Sequence, residues 1–259
     1  MFSSIEIPKD NSYSTYRIPK GNGKFRVITA PSEELKGFQK LFMEHLESIT
    51  LHSSAHGFVK GRSISTNAFP HIKKKFVLSM DLKDFFPSIK TDMIKGIFSL
   101  HNIDQKYVEF VTYKGGLPQG SPCSPVISNI YCYDLDVELS FYSEKNNLSY
   151  TRYADDLTFS GKIFDKKYIK EIKEIVNRHK LKVHPNKTKV MWQNQRQIVT
   201  GVIVNEKLNM PIEKRKKMRA LRHQFDVLPK KERRVLAGLK GFGTAIDNGR
   251  KYMEGKNEG

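Results

Sequence analysis

Cysteine is scarce in this chain. Two occur among 259 residues, Cys123 and Cys132, too few for a disulfide framework, and no Cys–His spacing suited to a structural metal accompanies them. They read as inert, buried thiols of an intracellular protein. Long apolar runs are missing as well. None approaches the roughly 20 residues a spanning helix requires, and Met1 to Asp10 lacks the pattern of a signal peptide. A cytoplasmic location and no membrane partner are expected. Internal repeats and low-complexity stretches are absent. Acid is short relative to base: 27 Asp and Glu against 45 Lys and Arg leave a formal charge of +18. An excess of that size costs self-repulsion in a compact state and calls for a polyanionic partner, which points to nucleic acid.

What is present suffices for a globular core, since 38% of the residues are hydrophobic. Tyr16 to Ala30 reads as a hairpin around Gly21-Asn22-Gly23. Ser32 caps a following helix whose buried face would carry Leu35, Phe38, Leu41, Phe42 and Leu46. Phe76 to Leu82 suits a buried strand. Ser124-Pro125 predicts a cap and first-turn proline before a helix with Val126, Ile127, Ile130 and Leu135 inward. Leu148 to Tyr153 and Leu157 to Ser160 read as strands joined at Ala154-Asp155-Asp156. A helix over Lys166 to Lys180 and strands near Lys189 to Trp192 and Gln197 to Val204 follow. Between Glu213 and Val235 stand ten Lys or Arg and three acids, so a boundary is placed near Pro211. The mixed order of elements predicts an α+β fold.

Asp81 interrupts an apolar strand, where a carboxylate costs several kcal/mol unless a cation or hydrogen bonds compensate. Asp155 and Asp156 are neighbours at a turn, and alone they would be ordinary solvated turn residues. Taken together the three fit another chemistry. Nucleotide addition uses two Mg²⁺ roughly 4 Å apart, one at the attacking hydroxyl and one at the leaving phosphates. Such ions favour a few carboxylates plus substrate oxygens and water.

The strings around these residues resemble reverse transcriptases. Tyr153-Ala154-Asp155-Asp156 resembles their YxDD box, Ser79 to Ile89 (SMDLKDFFPSI) the motif of the first aspartate, and Gly116 to Pro122 (GLPQGSP) the LPQG motif. Asn67-Ala68-Phe69-Pro70-His71 and Val199-Thr200-Gly201 are similar to the NAxxH and VTG signatures of retron enzymes. Read without the family, those two strings are a helix-entry turn and a strand with a glycine kink.

The resemblance implies a right-hand polymerase: residues 1–75 as the first part of the fingers, 76–211 as the palm with an interleaved fingers segment, and 212–259 as a short basic helical thumb. That thumb is either naturally compact or lacks a part. Asp81, Asp155 and Asp156 are the implied catalytic residues. They would hold two Mg²⁺, or Mn²⁺, with help from the Leu82 carbonyl. Lys24, Arg26, Phe86, Gln119 and Lys187 are implied around the incoming dNTP, with Phe86 gating the sugar and Lys187, in competition with Lys189, assisting pyrophosphate departure. Asn67, His71, Val199, Thr200 and Gly201 would recognise RNA, and Lys214, Arg215, Lys216 and Lys217 would grip the template–primer backbone.

The function implied is synthesis of branched, RNA-linked DNA on a cognate structured non-coding RNA. It would be primed by a guanosine 2′-hydroxyl, in bacterial antiphage defence beside a separate effector protein. The rivals are another defence-associated or group II intron-like reverse transcriptase, and a non-catalytic RNA-binding protein on the same fold. The last predicts a lost carboxylate, and all three are present.

Overall fold

The computed structural model describes residues 6–21 and 23–257, without the side chains of Lys20, Lys24 and residues 252–257. Asn22, in the expected first turn, lies outside the described residues. In chain order β1 (Tyr13–Gly21) and β2 (Lys24–Pro31) form a hairpin, followed by α1 (Glu33–Leu46) and α2 (Ile64–Ala68). Next come β3 (Phe76–Asp81), α3 (Phe85–Ser88), α4 (Thr91–Leu100), α5 (Val108–Val111), α6 (Cys123–Tyr131) and α7 (Tyr133–Lys145). The remainder is β4 (Ser149–Tyr153), β5 (Asp156–Gly161), α8 (Lys167–Arg178), β6 (Lys189–Trp192), β7 (Ile198–Val199), β8 (Val202–Ile203), α9 (Ile212–His223) and α10 (Lys230–Asn257).

Two compact units result, each assembled from three chain segments. The first contains residues 1–53, 82–138 and 171–183, and the second contains 54–81, 139–170 and 184–259. Neither is a contiguous range: residues 54–75 and 212–257 belong to the same unit as the strands β3 to β6.

In the first unit α1 supplies the core with Leu35, Phe38, Phe42 and Leu46. Phe42 packs against Phe98 and Tyr107 at centroid distances of 5.7 and 5.2 Å, in the tilted geometries that aromatic rings favour. Leu41, expected inside, is 54% exposed. Gln39 is buried in its stead, with its amide donating to the Tyr13 hydroxyl and the Phe110 carbonyl and accepting from Ser121. The helix turns this amide inward because three partners satisfy it.

α6 starts at Cys123, two residues earlier than the Ser124 cap predicts. The Ser124 hydroxyl donates instead to the Pro118 carbonyl, 2.7 Å away. This ties the GLPQGSP loop to the helix. The same loop docks on β2, where the Thr29 amide donates to the Gln119 carbonyl at 2.8 Å. Gly120 makes that approach feasible, since a Cβ there would stand 2.6 Å from the Thr29 carbonyl oxygen.

The second unit is built on an antiparallel sheet in the order β4-β5-β3-β6. One core cluster joins Val77 and Met191 of the sheet to Ala68 of α2, Val199 and Val202 of the β7–β8 hairpin, and Ile246 of α10. The expected single strand over 197–204 is this hairpin, because Thr200 and Gly201 take left-handed backbone angles (φ +47° and +81°) and reverse the chain. Gly249 lies within α10, whose Arg250 donates to the Leu208 carbonyl at 2.8 Å.

Candidate active site

Asp81 ends β3, and its Cα partner across the antiparallel pair is Asp156, the first residue of β5. Asp155 precedes it in the two-residue turn between β4 and β5. The fold therefore brings the three expected carboxylates to one end of one sheet. Lys187 reaches the same place. Its ammonium lies 2.7 and 2.8 Å from the two Asp81 carboxylate oxygens. The chain after residue 183 is held there because the His184 amide donates to the Asp81 carbonyl at 2.7 Å. Lys189 sits in β6 opposite Ser79 and is exposed, so geometry separates the two lysines.

Burial, then the charges of Asp155 and Asp81, push the Asp156 carboxyl up to about 6, against the opposing pull of Lys187. Carboxylates gathered this way store repulsion that a cation relieves. Among the described residues no three His, Cys, Asp or Glu side chains converge as a ready metal cage. The donors nevertheless suit hard divalent ions, which take carboxylate oxygens, and the Lys187 ammonium already places positive charge against Asp81.

The turn carrying Asp155 is braced from behind. Ala154 is left-handed at φ +56°, a conformation costing roughly 1–2 kcal/mol for a residue with a Cβ. Residues 54–57 run beside β4: the Arg152 amide donates to the Ser54 carbonyl and the His56 amide to the Arg152 carbonyl, both at 2.8 Å. Arg152 is fully buried and its guanidinium donates to the Ala154 carbonyl at 3.2 Å. Neither Arg152 nor Gly57 was singled out in the sequence. A basic residue inside an otherwise β-prone string beside the paired aspartates was the available signal.

The residues expected to read RNA are mostly interior. Asn67 and His71 are wholly buried and Val199 nearly so. The Asn67 amide donates to the Thr200 hydroxyl at 3.3 Å, and that hydroxyl donates to the Ile64 carbonyl at 3.2 Å. The two signature strings thus form one joint inside the second unit. His71 lies 2.7 Å from the Ser160 hydroxyl and 2.8 Å from that of Thr151, bridging β5 and β4. Burial first, then Lys74 and His56, depress its pKa to about 3, so the ring is neutral. These side chains brace the hairpin that carries Asp155 and Asp156, and direct base contact by Asn67 or His71 is set aside because neither reaches the surface.

Arg26 and Gln119 both belong to the first unit. Both line a cavity of about 470 Å³ whose walls also include Asp84, Lys90 and Tyr113. Phe86 lies outside that lining; it is partly exposed, whereas Phe85 beside it is buried, their rings 5.4 Å apart. The Lys24 side chain lies outside the described residues. In α9 the Lys214 ammonium stands 3.9 Å over the Phe242 ring, while Lys216 and Lys217 are exposed and Arg215 is half-buried.

Comparison with known proteins agrees with this geometry. The architecture is that of template-directed polymerases: apo telomerase from Candida tropicalis, truncated from its C-terminal domain, superposes with a TM-score of 0.54 over 80% of this chain and 56% of that one, at 13% identity. A foamy viral protease-reverse transcriptase solved with double-stranded DNA gives 0.53 over 89% and 35%, at 18% identity. The family model described as reverse transcriptase (RNA-dependent DNA polymerase) matches residues 18–222. The retron Mx162 reverse transcriptase of Myxococcus xanthus is 36% identical over 77% of this chain and 48% of its own length. The retron Ec86 reverse transcriptase of Escherichia coli is 33% identical over 92% and 78%. The chain belongs to the reverse transcriptase family, and within it to the retron type. It spans about half the length of the Myxococcus relatives it matches, 48% of Mx162 and 58% of Mx65. No helix among the described residues is long and apolar enough to cross a membrane.

Proposed function

We propose that this chain catalyses RNA-directed DNA synthesis, with a cognate structured RNA as template and its DNA as product. The observation that carries the reading is the pairing of Asp81 with Asp156 at the sheet end, with Asp155 in the adjoining turn and Lys187 against Asp81. Asp81 and Asp155, with the Leu82 carbonyl and with Asp156 in support, would hold two Mg²⁺ or Mn²⁺ ions. When bound, such ions would ease deprotonation of the attacking hydroxyl and offset the negative charge on the departing phosphates.

The chain's own groups do the rest. Lys187 releases Asp81 as substrate arrives and supplies positive charge, or a proton, to the leaving pyrophosphate. Arg26 grips phosphate oxygens as a fork, with Lys24 as a point charge beside it. Gln119 and Phe86 contact the base pair and the sugar of the incoming dNTP.

The finer reading follows the family: priming from a guanosine 2′-hydroxyl, a branched RNA–DNA product, and action beside a separate effector in bacterial defence. The basic α9 supports an extended polynucleotide partner. The test is dNTP incorporation by the Asp81→Ala and Asp155→Ala variants on an annealed primer–template. Both should lose synthesis while keeping RNA affinity. Near wild-type synthesis in either overturns the assignment. DNA formed on co-purified RNA without added primer should keep a ribonucleotide stub after RNase digestion, and DNA free of RNA would overturn the branched-product reading alone.

A further inference from the structure

The end of the sheet away from Asp81 carries its own pattern. Phe76 begins β3 and pairs with Gly161 on one side and Trp192 on the other, five residue steps, about 17 Å, from the carboxylates. Three chain segments converge there. The Lys75 amide donates to the Gly161 carbonyl at 3.0 Å and the Gln193 amide to the Lys75 carbonyl at 2.9 Å. Trp192 is 44% exposed and Ile163 is 78% exposed. The Trp192 ring is braced by Phe164 in an edge-to-face contact (5.4 Å, 84°), and Phe164 in turn packs on the buried Phe76 at 5.1 Å. A large ring is thus held rigid with much of its surface in water.

The chain adjoining these strand ends is basic. Lys73, Lys75, Lys162 and Lys166 are exposed, and none takes part in the ion pairs found there. Two nearby acids are already engaged: Asp165 pairs with Lys167 at 3.6 Å and Glu213 with Arg196 at 2.7 Å. An exposed aromatic ring with basic residues in the adjoining chain suits one ligand class well. Single-stranded nucleic acid offers π-faces for the ring and phosphates for the lysines.

We propose that Trp192, flanked by Lys75, Lys162 and Lys166, is a stacking platform for single-stranded RNA or DNA, separate from the catalytic end of the sheet. It rests on the polymerase reading only in that such an enzyme has single strands to hold. A strand running along the unit would pass from the carboxylates to this ring within a few nucleotides, and its capture would keep template or product from diffusing away.

Trp192 is the sole tryptophan of the chain, so its fluorescence reports this site directly. Fluorescein-labelled oligo(dT) and oligo(rU) should bind the full chain by anisotropy and quench the tryptophan with the same midpoint. Trp192→Ala should weaken binding by about 5- to 100-fold, the range for loss of one stacked base, and Trp192→Phe should restore much of it. Replacing Lys75, Lys162 and Lys166 with Gln should lower the salt slope by about 2, at roughly 0.7 per phosphate contact. Extension of a short annealed primer should survive in every variant.

Oligonucleotide binding without quenching overturns the proposal, as does full affinity in Trp192→Ala; the ring would then be a lid on Phe164 or a seat for a protein. If Trp192→Ala does not fold, the wild-type quenching and the lysine variant still decide. Loss of primer extension in the wild type, with quenching intact, would strike the polymerase reading and leave this one standing.

Discussion

A Cβ on Gly57 would stand 2.4 Å from the backbone nitrogen of Ala154. No side chain fits that gap, so the segment before α2 touches the catalytic turn backbone to backbone. Gly57→Ala must push the turn away, and overpacking of this kind costs about 1–3 kcal/mol. Synthesis should fall at least tenfold, with the melting temperature lowered by only a few degrees. Unchanged turnover would show that the turn tolerates displacement.

Lys187 and Lys189 differ by position alone. Lys187→Ala should slow turnover by an order of magnitude or more, the scale of one general acid or electrostatic partner, with little effect on primer–template affinity. Lys189→Ala should stay near wild type. Single-turnover rates of the two variants check this, and equal losses would remove the special role of Lys187.

Phe85 is buried and Phe86 partly exposed. Phe86→Val should therefore raise ribonucleotide use relative to deoxyribonucleotide, while Phe85→Val should mainly lower stability, by about 1–3 kcal/mol. Incorporation ratios and melting curves of both variants separate the two. Relaxed sugar choice in Phe85→Val alone would exchange the assignments.

His71 makes stability depend on acidity. The unfolded chain protonates an imidazole near its ordinary 6.5, while the folded protein resists until about 3. Its stabilising contribution is complete above 6.5 and declines as pH falls through that window. His71→Gln should flatten the melting temperature against pH between 6.5 and 4, at some cost in stability at neutral pH. It should lower extension on plain and cognate templates alike, since the side chain braces β4 and β5. Loss confined to the cognate RNA would restore a recognition role.

Within α9 the exposed lysines should carry the electrostatics. Lys216→Gln with Lys217→Gln should reduce the salt slope of template binding by about 1.4, at 0.7 per single-strand phosphate. Lys214→Gln should leave the slope alone and lower stability through the lost contact with Phe242. Titrations between 50 and 200 mM salt decide it.

The candidate site was legible in the sequence because its carboxylates are encoded locally. Asp81 stood out as a charge in an apolar strand, Asp155 and Asp156 as paired acids between two β-prone runs, and the excess of base announced a polyanion. The β4–β5 hairpin formed as its pattern predicted, which is why the carboxylates arrive together. Tertiary structure decided the roles of the residues around them. His71 meets partners 89 and 80 residues away, and Asn67 meets one 133 away. No local pattern distinguishes such a side chain from one that reads RNA. The exposure of Leu41, the inward amide of Gln39 and the proximity of Lys187, rather than Lys189, to Asp81 have the same origin. A carboxylate in a strand is conspicuous wherever it occurs, whereas a buried polar group is stable only if the fold delivers its partner, and that partner is known only once distant segments have packed.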